Sequence, residues 1–196
     1  VDRAGLVNRV KIKLDEFTPE GVGLPFDEYI GPVLDECART IQEIAPLHLL
    51  TASAIEGDFK YENNKAYIPL PSDYVRLYEI RFPLWKKSVR RAIKQEDPEF
   101  RIHENEYLSG GYARPIVSLV YYSGGPSLEC SKVLENTAPD RKLYVAEAKP
   151  ESLNDDLCEA LTWLCASRIF TIMGYPEKAQ LLQKQCADSL SQLSNS

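Results

Sequence analysis

Few residues in this chain have the type and spacing for catalysis. Two histidines occur, His48 in APLHLL and His103 in RIHENEY. A histidine base needs a positioned nucleophile as its partner, and neither stretch shows one, so both are expected in structural or surface roles. HENEY is also not HExxH, the pattern that places two zinc-binding histidines on one helix face. Cys158 and Cys165 stand seven apart and would share a helix face, but no companion ligand accompanies them, which favours core packing over a metal site. Asp155 and Asp156 fall in a first helical turn, where the helix dipole favours negative charge, and a catalytic carboxylate pair is the weaker reading. LSGGYARP and YSGGPS hold glycine pairs without the Lys-Ser/Thr that completes a phosphate-binding loop, so turn chemistry accounts for both. No catalytic, metal or cofactor-binding set emerges, and no cofactor is expected.

One local charge bias remains, the run PLWKKSVRRAIK with Lys86, Lys87, Arg90, Arg91 and Lys94 beside an exposed-looking Trp85. Three readings compete for it: a solvated face, a contact with an acidic protein partner, and contact with nucleic-acid phosphates. The formal charge of −6 and the pI near 5.1 weigh against general nucleic-acid binding, since such domains have pI values above about 9. Of the three readings, the partner-contact one names Trp85, Lys86, Lys87, Arg90 and Arg91 as candidate interface residues. Exposed ion pairs are individually weak, so such a surface would select partner and register more than hold an assembly together.

The elements that must carry this run follow from periodicity. With 196 residues, 22.2 kDa and 44% apolar residues, the chain can bury a real core. Its first residues lack a signal-peptide pattern and no run approaches about 18 consecutive apolar residues, so neither export by that route nor membrane spanning is expected. Five cysteines without CxxC spacing read as free buried thiols in a reducing compartment.

Residues 1–26 read as an extended or partly helical arm, with the Gly/Pro-rich TPEGVGLPF as its linker. Asp27 is a plausible N-cap for a helix striped by Ile30, Val33, Leu34, Cys37, Ile41 and Ile44 that stops by Pro46. Residues 27–56 and 150–196 are expected to form a helical core, and residues 57–149 a β-rich insertion. Within the insertion, DFKYENNKAYIPL is a hairpin turning at Asn63 and Asn64. Pro69 and Pro71 mark a strand end, bulge or edge, and the apolar phase changes near Leu77, as a bulge would make it. A second hairpin runs from Ile116 through a Gly124-Gly125-Pro126 turn, and KLYVAEA is a last strand. A capping box at Ser152 and Asp155 opens a helix apolar nearly all round, which is central or lies against a partner. Gly174 ends it, Pro176 starts the next, and GYP joins the two into an antiparallel hairpin. The fold class is therefore α+β: an N-terminal helix and a C-terminal helical hairpin around a central antiparallel β-rich insertion.

This order, with APLHLL, LPSDYVRLYEIRFPLWKKSV, GGYARPIVSLVYY and the final paired helices, resembles the head-to-tail adaptor, or neck ring, proteins of tailed bacteriophages, in particular the ring proteins of crAss-like phages. The resemblance covers nearly the whole chain. It implies a structural virion protein rather than an enzyme, assembled in the host cytoplasm as a ring, usually of twelve copies, between the portal protein and the next tail component. It also implies that the ring lines or surrounds the genome channel, with non-specific contact to packaged DNA and no membrane partner. Surplus apolar surface on the helix of residues 152–173 would then be covered by neighbouring subunits, and residues 1–26 would reach one of them. The alternative is a small nucleic-acid-binding or enzymatic domain.

Overall fold

The computed structural model describes residues 1–18, 26–104, 111–135 and 137–194, the side chains of 102–104 excepted. The protein is mixed α+β, with antiparallel sheets inserted in sequence between helices. The chain divides into two compact units, one of residues 1–51 with 147–196 and one of residues 52–146.

Four long helices build the first unit: α1 (Arg3–Phe17), α2 (Asp27–Ile44), α4 (Cys158–Ile172) and α5 (Pro176–Ser194). Asp2 caps α1 by accepting the Gly5 N–H at 2.9 Å, and the helix buries Leu6, Val10 and Leu14. Their spacing of four is one helical face, which resolves the helix-or-strand ambiguity of the first residues. The arm expected to reach a neighbouring subunit is thus, over α1, packed onto its own unit, against α4 and α2. The linker at 19–25 lies outside the described residues.

The sequence expectation for the helix after residue 150 also changes. Two 3-10 turns, Pro150–Ser152 and Asp155–Leu157, precede α4. Asn154 supplies the cap, its side chain accepting the Asp156 N–H at 3.0 Å, while Ser152 donates to the Lys149 carbonyl at 2.8 Å. As its all-round apolar composition predicts, α4 is central: α1, α2 and α5 of the same chain pack around it. That enclosure removes most of the surplus apolar surface inferred from sequence. Leu161, Cys165, Ala166, Ile169 and Phe170 are fully buried, and Ile172 at the C-terminal end is 53% exposed. Phe170 meets Phe26 and Tyr175 edge-on at centroid distances of 6.0 and 6.1 Å. Gly174 (φ 81°) reverses the chain into α5, a conformation costly for any residue with a Cβ.

The second unit contains strands β1 (Ala52–Ala54), β2 (Lys60–Glu62), β3 (Lys65–Pro69), β4 (Tyr74–Arg81), β5 (Val117–Tyr122), β6 (Gly125–Ser131) and β7 (Arg141–Ala146), and the short helix α3 (Pro98–Glu104). They form a three-stranded sheet in the order β1-β7-β4 and a four-stranded sheet in the order β2-β3-β6-β5, every pairing antiparallel. The β2–β3 turn is made by Asn63 (φ 53°) and Asn64 (φ 61°), both in the left-handed region a two-residue hairpin demands. The second hairpin turns one residue earlier than expected, at Ser123 (φ 51°) and Gly124 (φ 90°), because Gly125 already pairs with Tyr122.

Register shifts in β4 between Tyr74 and Arg76 and between Leu77 and Glu79 account for the change of apolar phase near Leu77: each extra residue switches the side of the sheet that later side chains face. The unit begins at β1, earlier than the expected residue 57, because Ala52–Ala54 pair with β7, and it ends at 146 rather than 149. One apolar cluster joins both sheets, including Ile68, Leu77, Ile80, Phe82, Trp85, Val117 and Leu128.

Candidate functional site: the basic run on the β unit

The segment after β4 is fastened at several points. Ile80 and Val89 exchange two main-chain hydrogen bonds of 2.9 Å, Trp85 N–H closes a turn on the Phe82 carbonyl at 3.0 Å, and Lys86 N–H donates to the Tyr112 carbonyl at 3.0 Å. Trp85 is the anchor. It is 1% exposed, its ring tilts against Phe82 at 5.0 Å, and its indole Nε1–H donates to the Lys132 carbonyl at 3.2 Å. Burying a tryptophan with its polar atom satisfied stabilises the segment and fixes its direction.

This corrects the expectation that Trp85 itself faces a partner: it is a core residue. The signal that distinguishes the two was present, since a Trp three residues beyond Phe82 across a proline turn can fold back under the loop it ends. Lys86, Lys87, Arg90 and Arg91 are exposed, as is Lys94. Arg91 reaches Asp97 at 3.4 Å, and Asp97 also accepts the Lys94 N–H at 2.9 Å, which orders the end of the run. Among the described residues, Lys86, Lys87 and Arg90 form no ion pair within hydrogen-bonding reach. Beneath the run sits Glu79, 6% exposed. A Ser88 hydrogen bond, with the charges of Arg141 and Arg90, holds its carboxyl below the ordinary glutamate range against the opposing effect of burial. Arg141 approaches it at 3.4 Å.

A second polar group, unread in the sequence, lies on one face of the four-stranded sheet. Glu129 accepts from Lys65 Nζ at 2.8 Å and from the Tyr67 hydroxyl at 3.0 Å. Tyr122 donates to Glu62 at 2.9 Å, and the Tyr67 and Tyr122 rings stack at 3.9 Å. Alternation along four strands places these side chains together only once the register is known. Burial, followed by the hydrogen bond to Glu129, pushes the Tyr67 phenol well up, so it stays a hydrogen-bond donor rather than a base near neutral pH. Each acid here has a structural partner, and the arrangement stiffens the sheet.

His48 is exposed in a 3-10 turn after α2, the side chain of His103 and the first three residues of LSGGYARP lie outside the described residues, and Gly111–Ala113 form a 3-10 turn. All five cysteines are buried and free. Cys165 shares a hydrogen bond with Cys37 that, with burial, pushes its thiol up, and burial pushes Cys186 up to about 11. Such thiols are poor nucleophiles. Among the described residues no group of three or more His, Cys, Asp or Glu side chains could hold a metal ion, and no helix is long and apolar enough to cross a membrane. Comparison with known protein families found no match, and neither did comparison with curated proteins.

Proposed function

We propose that this chain is a structural virion protein, a subunit of a head-to-tail connector ring that joins a portal protein to the next tail component around a genome channel. One observation carries the reading: three cations, Lys86, Lys87 and Arg90, stand exposed on a segment that Trp85 and the Ile80–Val89 bridge hold in place. Exposed charge of one sign on a segment held in place suits recognition of an acidic protein surface, where it sets partner choice and register. The order of elements, two helices, a β insertion and a helical hairpin, supports the same reading through its resemblance to phage neck proteins. In this function the helical unit is scaffold, and the β unit presents the contact. The assembly would be a closed homo-oligomer of about twelve copies.

The test is reconstitution with a portal protein, followed by native mass spectrometry and imaging. A ring of this chain on the portal is the expected result. A strictly monomeric protein that associates with neither portal nor tail components would sink the proposal.

A further inference from the structure

Strand β5 is an outer strand of its sheet, and its register decides which main-chain groups face away from it. The turn at Ser123 and Gly124 makes Tyr122 and Gly125 a hydrogen-bonded pair. Val120 with Ser127 and Ser118 with Glu129 follow as the next bonded pairs, so Val117, Leu119 and Tyr121 direct their N–H and C=O groups outward. The chain itself uses the start of this row. Ile93 N–H donates to the Val117 carbonyl and Leu119 N–H donates to the Ile93 carbonyl, both at 2.8 Å, as a single parallel bridge. Then the chain leaves: Lys94 N–H turns to Asp97, and Asp97 N–H closes on the Lys94 carbonyl at 3.0 Å. The Leu119 carbonyl and both main-chain groups of Tyr121 are left without a protein partner among the described residues. Beside them lies an open cavity of about 300 Å³ lined by Lys94, Glu96, Leu119, Tyr121 and Pro126, among others. Tyr121 is 76% exposed.

We propose that this row is a strand-addition site for an extended, acidic segment of a partner protein, laid parallel to β5 in continuation of Ile93. The inference rests on the reading of the basic run as a partner surface and names the chemistry of that partner. Groups spaced along a strand edge are matched by another extended backbone, and Ile93 demonstrates that this edge receives one in parallel. Unprotected edges are hazards that proteins blunt with charge, proline or brevity. The opposite outer strand, β2, has only three residues and carries Lys60 and Glu62, whereas β5 has six and carries apolar Leu119 and Tyr121 in its outward row. Charge selects the occupant: the segment feeding the row carries Lys86, Lys87, Arg90, Arg91 and Lys94 against only Glu96 and Asp97.

The test uses the full chain and a fluorescein-labelled peptide of alternating Glu and Val. Binding should raise its anisotropy and slow hydrogen exchange at the Tyr121 amide. Tyr121→Pro removes the outward N–H without touching a bond to β6, and should weaken binding about tenfold, while Tyr121→Thr, which trims the side chain but keeps the N–H, should bind more tightly than Tyr121→Pro. Methylating the central peptide nitrogens should weaken binding to the unaltered protein by a similar factor, independently of how the proline variant folds. Absence of binding, equal binding of the methylated peptide, or equal binding of a Lys/Val peptide would overturn the proposal. So would self-association of the protein that Tyr121→Pro abolishes, which would give the row to a second copy. Assembly with a portal protein is a separate measurement, so failed peptide binding removes strand addition and leaves the connector reading to its own test.

Discussion

The helical unit and the β unit use their charges in opposite ways. In the helical unit, ions tie helices to one another and to the segment that leads into α4. Arg3 grips Asp35 at 2.7 and 2.8 Å, Arg168 reaches Glu36 at 2.6 Å, and Arg39 meets Glu147 at 2.9 Å. Lys13, only 7% exposed, donates to Glu159 at 2.5 Å and lies 3.3 Å over the Trp163 ring. Lys178 donates to the Phe17 carbonyl at 2.6 Å. In the β unit Lys86 and Lys87 stand at the surface with no ion partner among the described residues, while an apolar cluster holds the segment beneath. Charged side chains can therefore serve cohesion or display. What decides is whether a carboxylate stands within reach on the facing element.

The largest effect that would sharpen this contrast is expected in the helical unit. Phe170→Ala removes a fully buried ring between Phe26 and Tyr175 and should cost about 3–5 kcal/mol, read as a lower urea midpoint with unchanged slope. Trp85→Phe in the β unit keeps an aromatic body but leaves the Lys132 carbonyl without its indole donor. A loss of about 1–2 kcal/mol is expected, with faster hydrogen exchange at the Lys86 amide. Unchanged exchange there would break the claim that Trp85 anchors the displayed loop.

Acid should expose the one carboxylate that the basic run shares with the β core. Because the folded pKa of Glu79 is depressed, its contribution is present above the ordinary glutamate value, near about 4.3, and is lost as pH falls through the folded value. Glu79→Gln should therefore destabilise by about 1–2 kcal/mol at neutral pH, with the difference from wild type shrinking in acid. A difference independent of pH would mean that shape, not charge, matters at this position.

Local chemistry made much of the fold legible. Asn63–Asn64, Gly174 and the α5 stripe of Ala179, Leu182, Cys186 and Leu190 announce their conformations within a few residues. What stayed hidden needed the third dimension. The charges that flank Trp85 in sequence suggest exposure, yet its burial depends on Phe82 and on Lys132, which comes 47 residues later. An all-apolar helix fits a central place or a contact with a neighbouring chain, and only the packing of α1, α2 and α5 around α4 decides for the first. The Tyr67–Glu129 group and the outward row of β5 depend on register, which one residue of slip would invert.

The smallest expected effect on stability bears most directly on the contrast. Lys86 and Lys87 are exposed and lack ion partners among the described residues, so Lys86→Glu with Lys87→Glu should change stability by no more than about 0.5 kcal/mol. Arg90 is left intact because its charge helps hold Glu79 ionised, and reversing it would mix a fold effect with a binding effect. If the run displays charge for a partner, this silent double change should slow association with the portal, most at low salt, because steering between opposite charges acts on the encounter rate and is screened by ions. Association that is unchanged at low and physiological salt would make the run a solvated face. Loss of stability equal to that of Trp85→Phe would instead show that the two lysines serve cohesion, as their counterparts in the helical unit do.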